Sequence, residues 1–282
     1  MKLSRDTEAD ISAGENPAGM SRRSFFTRAT AVGVTSAIAL SGLGRAASAQ
    51  VTDAVDPQGL KTGDKDILVA AQIAEALAVT TYMHIINTAP FFKRLEADDQ
   101  GYLKAALQEE MSHYLLEQEV TDQFTPFSTF FYPNKMFADA RVTLNTLVTL
   151  EDAFIAAYLV GVRNFSTTNL RVTAARIMGI ESDHRTLARV LAPDVVKQDG
   201  GPIEKLTGAQ GVAESIDPPN NNGYERTLCW TNISQAVNAL LPFVDKSAAK
   251  KAGFNTAKSY PFEPFSPVLP NPLGEFISFK GC

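Results

Sequence analysis

Histidine is scarce in this chain, three in 282 residues, and cysteine is scarcer still, with two. Neither Cys229 nor Cys282 belongs to a Cys-x-x-Cys pair, which argues against a thiolate metal site. Positive charge is also short: 26 Lys and Arg stand against 31 Asp and Glu, a net charge of −5. That balance argues against a nucleic-acid partner, which would want a basic face, and offers nothing to an anionic membrane surface. The apolar stretch from Ala29 to Leu43 covers only fifteen residues, many of them Ala, Gly and Ser. A membrane span needs about twenty. What remains is the composition of a soluble globule, 45% hydrophobic and 20% charged, with enough apolar residues for a real core.

The first fifty residues read differently from the rest. Ser21-Arg22-Arg23-Ser24-Phe25-Phe26 matches the twin-arginine export pattern; the apolar stretch follows, then Arg45 and the small-residue site Ala47-Ser48-Ala49. Residues 1–49 are therefore expected to be a signal peptide handled by the twin-arginine translocation machinery and cut after Ala49. That would place the mature chain in the periplasm or otherwise outside the cytoplasm, with no membrane span of its own. An uncleaved anchor is the alternative. Six basic and four acidic residues leave with the signal, so the mature chain is more acidic still. In an oxidising compartment a Cys229–Cys282 disulfide is allowed, and two unpaired thiols are equally compatible with the sequence.

Residues 50–63 contain Gly, Asp and Pro and are expected to form an extended lead-in. Asp64 is then placed to cap a first helix over residues 65–88. Between Ile67 and Phe92 its only acidic or basic residue, His84 aside, is Glu75. A helix this apolar on most sides belongs inside a bundle. Pro90 ends it, and Asp98-Asp99 opens a second helix that runs to about residue 120. The short connection makes these two antiparallel neighbours.

Residues 121–136 hold two prolines and five aromatics without a helical period. Extended, they can reach about 50 Å, more than the roughly 36 Å of a 24-residue helix, so they can cross the full length of a bundle. A third helix is expected over 137–164. Between Arg141 and Arg163 its only charges are Glu151 and Asp152. Ser166-Thr167-Thr168 makes a turn and cap, and a fourth helix is expected to run to about residue 191, stopped by Pro193. Residues 194–223 read as surface loop. A fifth helix over 224–244 carrying Trp230, and an extended aromatic tail through Tyr260-Pro261-Phe262, complete the chain. The fold class is thus all-α: a four-helix bundle over 64–192 with a long crossover between its second and third helices, plus a C-terminal extension over 193–282.

Two of the three histidines fall in one pattern. Glu110-Met111-Ser112-His113 and Glu181-Ser182-Asp183-His184 are both Glu-x-x-His, and residues three apart share a helix face. Each motif can aim a carboxylate and an imidazole at one point. Glu75 and Glu151 are lone carboxylates in apolar helices, and burying such a group is costly unless it is paired or bound to metal. All six fall near the middle of their helices. The candidate metal ligands are therefore Glu75, Glu110, His113, Glu151, Glu181 and His184. Four carboxylates carry a charge that two divalent cations balance, and this oxygen and imidazole donor set suits iron or manganese.

The neighbours are more ambiguous. Tyr82 and Tyr158 each lie seven residues beyond a lone glutamate; they could donate to the ligand carboxylates, but packing as core aromatics is the plainer reading. Glu109, Asp152 and Asp183 each adjoin a ligand and could fix a ligating imidazole in one tautomer, or be solvated helix charges. His84 is half a turn away from the Glu75 face and is expected to be structural.

One glutamate on each of two helices, with Glu-x-x-His on each of two others, resembles the ferritin-like di-iron or di-manganese carboxylate proteins. The resemblance spans about residues 64–192 and matches all six positions. An exported group of ferritin-like proteins associated with desiccation or stress is similar as well. The resemblance implies a pair of Fe ions, or alternatively Mn ions, and dioxygen or hydrogen peroxide as small-molecule substrate. It implies ferroxidase- or oxidase-like chemistry, a manganese catalase-like activity, or a stress-related envelope protein whose metal pair is structural. A homo-oligomer would fit each of these. The last third of the chain adds no recognisable chemistry.

Overall fold

The computed structural model describes residues 60–198 and 228–268, without the side chains of 192–198. The expected signal peptide, most of the lead-in, residues 199–223 of the expected loop, the expected first turn of the fifth helix and Cys282 lie outside the described residues. In chain order the elements are α1 (Thr62–Thr88), a 3₁₀ turn (Phe92–Arg94), α2 (Ala97–Thr121), β1 (Thr129–Tyr132), α3 (Ala140–Asn164), α4 (Thr168–Gln198), α5 (Ile233–Val244), α6 (Lys246–Lys251) and β2 (Asn255–Pro261). Helices α1 to α4 form the expected bundle.

The way the apolar side chains cluster fixes the helix directions. One end of the bundle gathers Tyr82 and Ile85 from late α1, Leu103 from early α2, Leu144 from early α3 and Leu191 from late α4. The other gathers Ile67 from early α1, Tyr158 from late α3 and Ile177 from early α4, with Val120 from late α2 packed against them. Helices α1 and α4 therefore run one way, and α2 and α3 the other. Because α2 ends where α3 does not begin, the segment between them must travel the length of the bundle, as its composition led us to expect.

That crossover is not bare chain. It contains β1, which pairs antiparallel with β2 from the C-terminal tail, Thr129 opposite Pro261 and Phe130 opposite Tyr260. The tail was expected to pack through its aromatics, and it does: Tyr260 meets Tyr132 and Phe137 with ring centroids 5.0 and 5.2 Å apart. His84 joins this aromatic group, its ring 4.8 Å from Tyr260 and 5.2 Å from Phe137. It is structural, as its position on the helix indicated.

Several boundaries differ from the sequence reading, each for a local reason. α1 begins at Thr62, inside the expected lead-in, and Asp64 does not cap it. Asp64 is buried and its carboxylate accepts from the Ser166 N–H at 2.8 Å and from the Ser166 hydroxyl, tethering the start of α1 to the α3–α4 turn. α3 begins at Ala140 because Asp139 caps it, accepting from the N–H groups of Arg141 and Val142. The turn after α3 behaves as expected: the Thr167 hydroxyl accepts from Leu170 N–H at 3.2 Å.

α4 continues past Pro193 to Gln198. A proline inside a helix forfeits one backbone hydrogen bond, a loss the preceding turns can carry when they are packed in the bundle. The fifth helix starts at Ile233, later than 224, because Asn232 and Gln235 form a capping box there; Trp230 therefore precedes the helix. The apolar windows of α1 and α3 are long enough to cross a membrane by composition alone, but 83% and 72% of them are buried in the protein.

One contact sets how closely α3 and α4 approach. A Cβ added at Gly161 would lie 2.7 Å from the Phe165 ring and 3.3 Å from the Ala174 methyl. Phe165 and Ala174 are both buried, so neither can move aside freely. Gly161→Val is expected to lower stability by about 1–3 kcal/mol, the usual cost of overpacking a filled core, measurable by urea denaturation.

Candidate metal centre

Between the two apolar ends lies a layer of buried charge. Glu75, Glu110, Glu151 and Glu181 are at most 1% exposed, and His113 and His184 are also buried. α1 and α3 deliver one glutamate each, flanked by Ala71, Ala78 and Val79 on α1 and by Leu147, Val148, Phe154 and Ile155 on α3. α2 and α4 deliver Glu and His from adjacent turns of a single face. The six side chains expected from the sequence are brought together by the fold.

They meet as two overlapping groups. Glu75, Glu110, His113 and Glu181 form one, and Glu110, Glu151, Glu181 and His184 form the other; in each, the donor atoms lie within 4.8 Å of one another. Glu110 and Glu181 belong to both. Glu110 turns Oε1 toward His184 Nδ1, 2.9 Å away, and Oε2 toward His113 Nδ1, 3.7 Å away. Glu181 does the reverse, with Oε1 3.2 Å from His113 Nδ1 and Oε2 3.6 Å from His184 Nδ1. Each of these two carboxylates thus splits its oxygens between the two groups, the geometry of a bridging ligand.

These atoms are close but unbonded. Both oxygens of Glu110 and Glu181, Oε2 of Glu75 and Glu151, and Nδ1 of both histidines have no hydrogen-bond partner. Seven of the eight meet only as histidine–carboxylate ion pairs of 2.9 to 3.7 Å, and eight buried polar atoms without a hydrogen bond at one place are a heavy penalty for a finished core. A cation removes it. Donor atoms about 2.1 Å from one ion and at right angles to each other sit roughly 3.0 Å apart, close to the shorter separations seen. Two divalent ions would neutralise the four carboxylates in a dry interior that otherwise opposes their charge. The residues present fit a metal pair.

Without an ion, the electrostatics are those of a strained proton trap. Burial, then the charges of Glu110 and Glu181, pushes the carboxyls of Glu75 and Glu151 well above the usual range. Burial is the largest influence on Glu110 and works against its charge, but the charge of the facing His184 and the close contacts of His113, His184 and Glu75 together outweigh it and hold that carboxyl low. Burial opposes charge on the imidazoles too, yet Glu75 holds His113 high and Glu110 holds His184 high. Metal would have to displace these protons.

The surrounding residues divide sharply. The Tyr82 hydroxyl donates to Glu151 Oε1 at 2.7 Å, and the Tyr158 hydroxyl is bonded to Glu75 Oε1. Each tyrosine therefore serves the glutamate of the opposite helix, as antiparallel α1 and α3 require. Core packing was the plainer expectation for both; burial of a phenol beside a carboxylate makes the hydrogen bond the better solution. Each bond leaves the other carboxylate oxygen, Oε2, directed to the metal-facing group.

Glu109 accepts from His184 Nε2 at 2.9 Å, which turns the other nitrogen, Nδ1, toward Glu110 and Glu181. Glu109→Gln is expected to weaken metal binding at the His184 position about 10–100-fold, read by competition with a chelator. Asp152 is buried and pairs with Arg185 at 2.9 Å. Asp183 is exposed and faces away from the cluster. Cys229 is exposed, and the choice between a bond to Cys282 and two unpaired thiols falls outside the described residues.

One buried group was not anticipated. Glu117 is 1% exposed and its Oε1 lies 2.8 Å from the Tyr158 hydroxyl. Tyr158 has a single proton to offer Glu75 and Glu117. For both contacts to be hydrogen bonds, one of the two carboxyls must itself carry a proton, and burial first of all raises the Glu117 carboxyl toward that state. The signal was present in the sequence, since Glu117 follows Glu110 by two turns on the same face. The alanine at the matching place on α4, Ala188, leaves this group without a counterpart.

Residues 59–193 match the ferritin-like domain family. The match takes in all six candidate ligands, both tyrosines, Glu109 and Glu117. No curated protein matches the chain significantly. Family match and geometry agree on a ferritin-like helical bundle with a potential carboxylate and histidine metal site.

Proposed function

We propose that the bundle holds two iron ions, or two manganese ions, with Glu75 and His113 completing one position, Glu151 and His184 the other, and Glu110 and Glu181 bridging. The observation that carries this is the set of eight buried donor atoms without a hydrogen-bond partner, divided evenly between two overlapping groups. Such a pair, when bound, would supply electrons to dioxygen, or would both give electrons to and take them from hydrogen peroxide. The chain's own residues hold the donors in place, with Tyr82 and Tyr158 fixing the terminal glutamates and Glu109 fixing His184. The apolar ends keep bulk water away from the centre. An oxidase- or ferroxidase-like role in stress protection outside the cytoplasm is our reading; the twin-arginine motif at Arg22-Arg23 supports the location. Peroxide disproportionation at a manganese pair is the close variant.

A second reading is favoured by the same unpaired atoms: the metal pair mainly stabilises the fold of an exported stress- or desiccation-related protein. Metal analysis of protein from its own host, combined with dioxygen and peroxide consumption assays, separates the two. Two metals per chain with turnover of either oxidant supports the redox reading. Full loading with no turnover would leave the structural one.

A further inference from the structure

The end of the bundle beyond Tyr158 is not filled. A cavity of about 340 Å³ opens there among α1, α2, α3 and α4, walled largely by apolar side chains such as Ile67, Leu68, Leu170 and Ile177. It is more than twice the roughly 150 Å³ that holds a benzene ring in an engineered cavity. Two of its lining groups are buried and polar: Tyr158 and Glu117. Glu117 Oε2 has no hydrogen-bond partner and almost no accessible surface, so a ligand would meet it as the carboxylate turns toward the cavity. Among the described residues no lysine, arginine or histidine lines the cavity, and the charged side chain at its rim is Glu119, which is exposed.

We propose that this cavity binds a neutral, mainly apolar hydroxyl compound, such as an alkylphenol or an alcohol of similar size, with its O–H on Glu117. The apolar walls select the body of the molecule through burial of its surface. The head is selected by what the walls lack. An anionic head would meet two glutamates and no cation, an uncompensated cost. An ammonium can only donate, and losing its hydration in an apolar cavity opposes it. A hydroxyl both donates and accepts, so it satisfies Glu117 Oε2 whether that oxygen carries a proton or not.

Binding in the cavity stands on its own geometry. Its relation to the metal pair rests on the reading above: Glu117 shares the Tyr158 hydroxyl with Glu75, so a bound hydroxyl would be three hydrogen bonds from Glu75, through Glu117 and Tyr158.

The probe is 4-butylphenol, titrated calorimetrically into the full-length mature protein, with butylbenzene and 4-butylbenzoate as comparators and metal content measured on each sample. The phenol is expected to bind about tenfold more tightly than butylbenzene, the worth of one buried hydrogen bond, and the benzoate more weakly than either. Glu117→Leu should bring phenol and butylbenzene within about threefold of each other. Ala71→Phe, which fills the cavity from α1, should abolish binding, and Thr173→Phe provides the same block from α4 should the first variant fail to fold. Absence of phenol binding to folded wild-type protein would overturn the proposal, as would benzoate binding equal to phenol or unchanged binding in a folded, blocked variant. Phenol binding to protein that never takes up metal would refute the metal reading alone. Metal uptake without phenol binding would refute this one alone.

Discussion

Replacing Glu110 with alanine is expected to empty both metal positions at once, whereas replacing Glu75 is expected to empty one. Glu110 belongs to both donor groups and Glu75 to only the first. Each ion therefore loses a donor in Glu110→Ala, and the two positions also lose the carboxylate whose charge screens one cation from the other. In Glu75→Ala the second position keeps Glu110, Glu151, Glu181 and His184. Elemental analysis after dialysis should give about two metals per chain for the parent and near zero for Glu110→Ala or Glu181→Ala. For Glu75→Ala or Glu151→Ala it should give about one. Equal losses in all four variants would mean that the centre is not built from two overlapping groups. A folded Glu110→Ala protein with undiminished metal would place the ions elsewhere.

Stripping the metal is expected to cost a large part of the stability. A ligand present at 100 to 1,000 times its dissociation constant stabilises the folded state by about 2.7–4.1 kcal/mol per site. Two sites would contribute roughly 5–8 kcal/mol, and for a domain of this size that corresponds to a drop in melting temperature of roughly 10–30 °C on chelation. The physical source is the buried charge: without metal, burial pushes the Glu75 and Glu151 carboxyls up, while the surrounding carboxylates hold the His113 and His184 imidazoles up against burial, so the donor set takes up protons in place of cations. These protons compete with metal, so loading should need more metal as pH falls and should release protons into a weakly buffered solution. An unchanged melting curve after complete removal would mean that the unpaired donors are satisfied some other way.

Most of this centre could be read from the chain because burial and period are one-dimensional signals. Glu75 stands alone among apolar residues from Ile67 to Phe92, and Glu-x-x-His occurs twice in a sequence with three histidines. The residues that escaped depend on which helix faces which. Tyr82 and Tyr158 were placed on the right faces, but that each bonds the other helix's glutamate follows only from the antiparallel run of α1 and α3. Asp152 adjoins Glu151 in sequence, but its pairing with Arg185 is to another helix and follows only from the packing. Glu117 was hidden by company: with Glu119 beside it, the end of α2 reads as a solvated charged face, and only the packed bundle shows one buried and the other exposed.

The fold followed the same rule. Bundle order and crossover length were legible because helices need an apolar face and connections need reach. The pairing of β1 with β2 was not, since it joins segments more than a hundred residues apart. The later start of α5 turned on a single side-chain exchange between Asn232 and Gln235.

The most direct test is anomalous diffraction from crystals of the native protein, collected at the iron and manganese absorption edges. Two peaks roughly 3.5–4 Å apart are predicted, both contacted by Glu110 and Glu181, one also by Glu75 and His113 and the other also by Glu151 and His184. A single peak, or peaks away from these six side chains, would contradict the account.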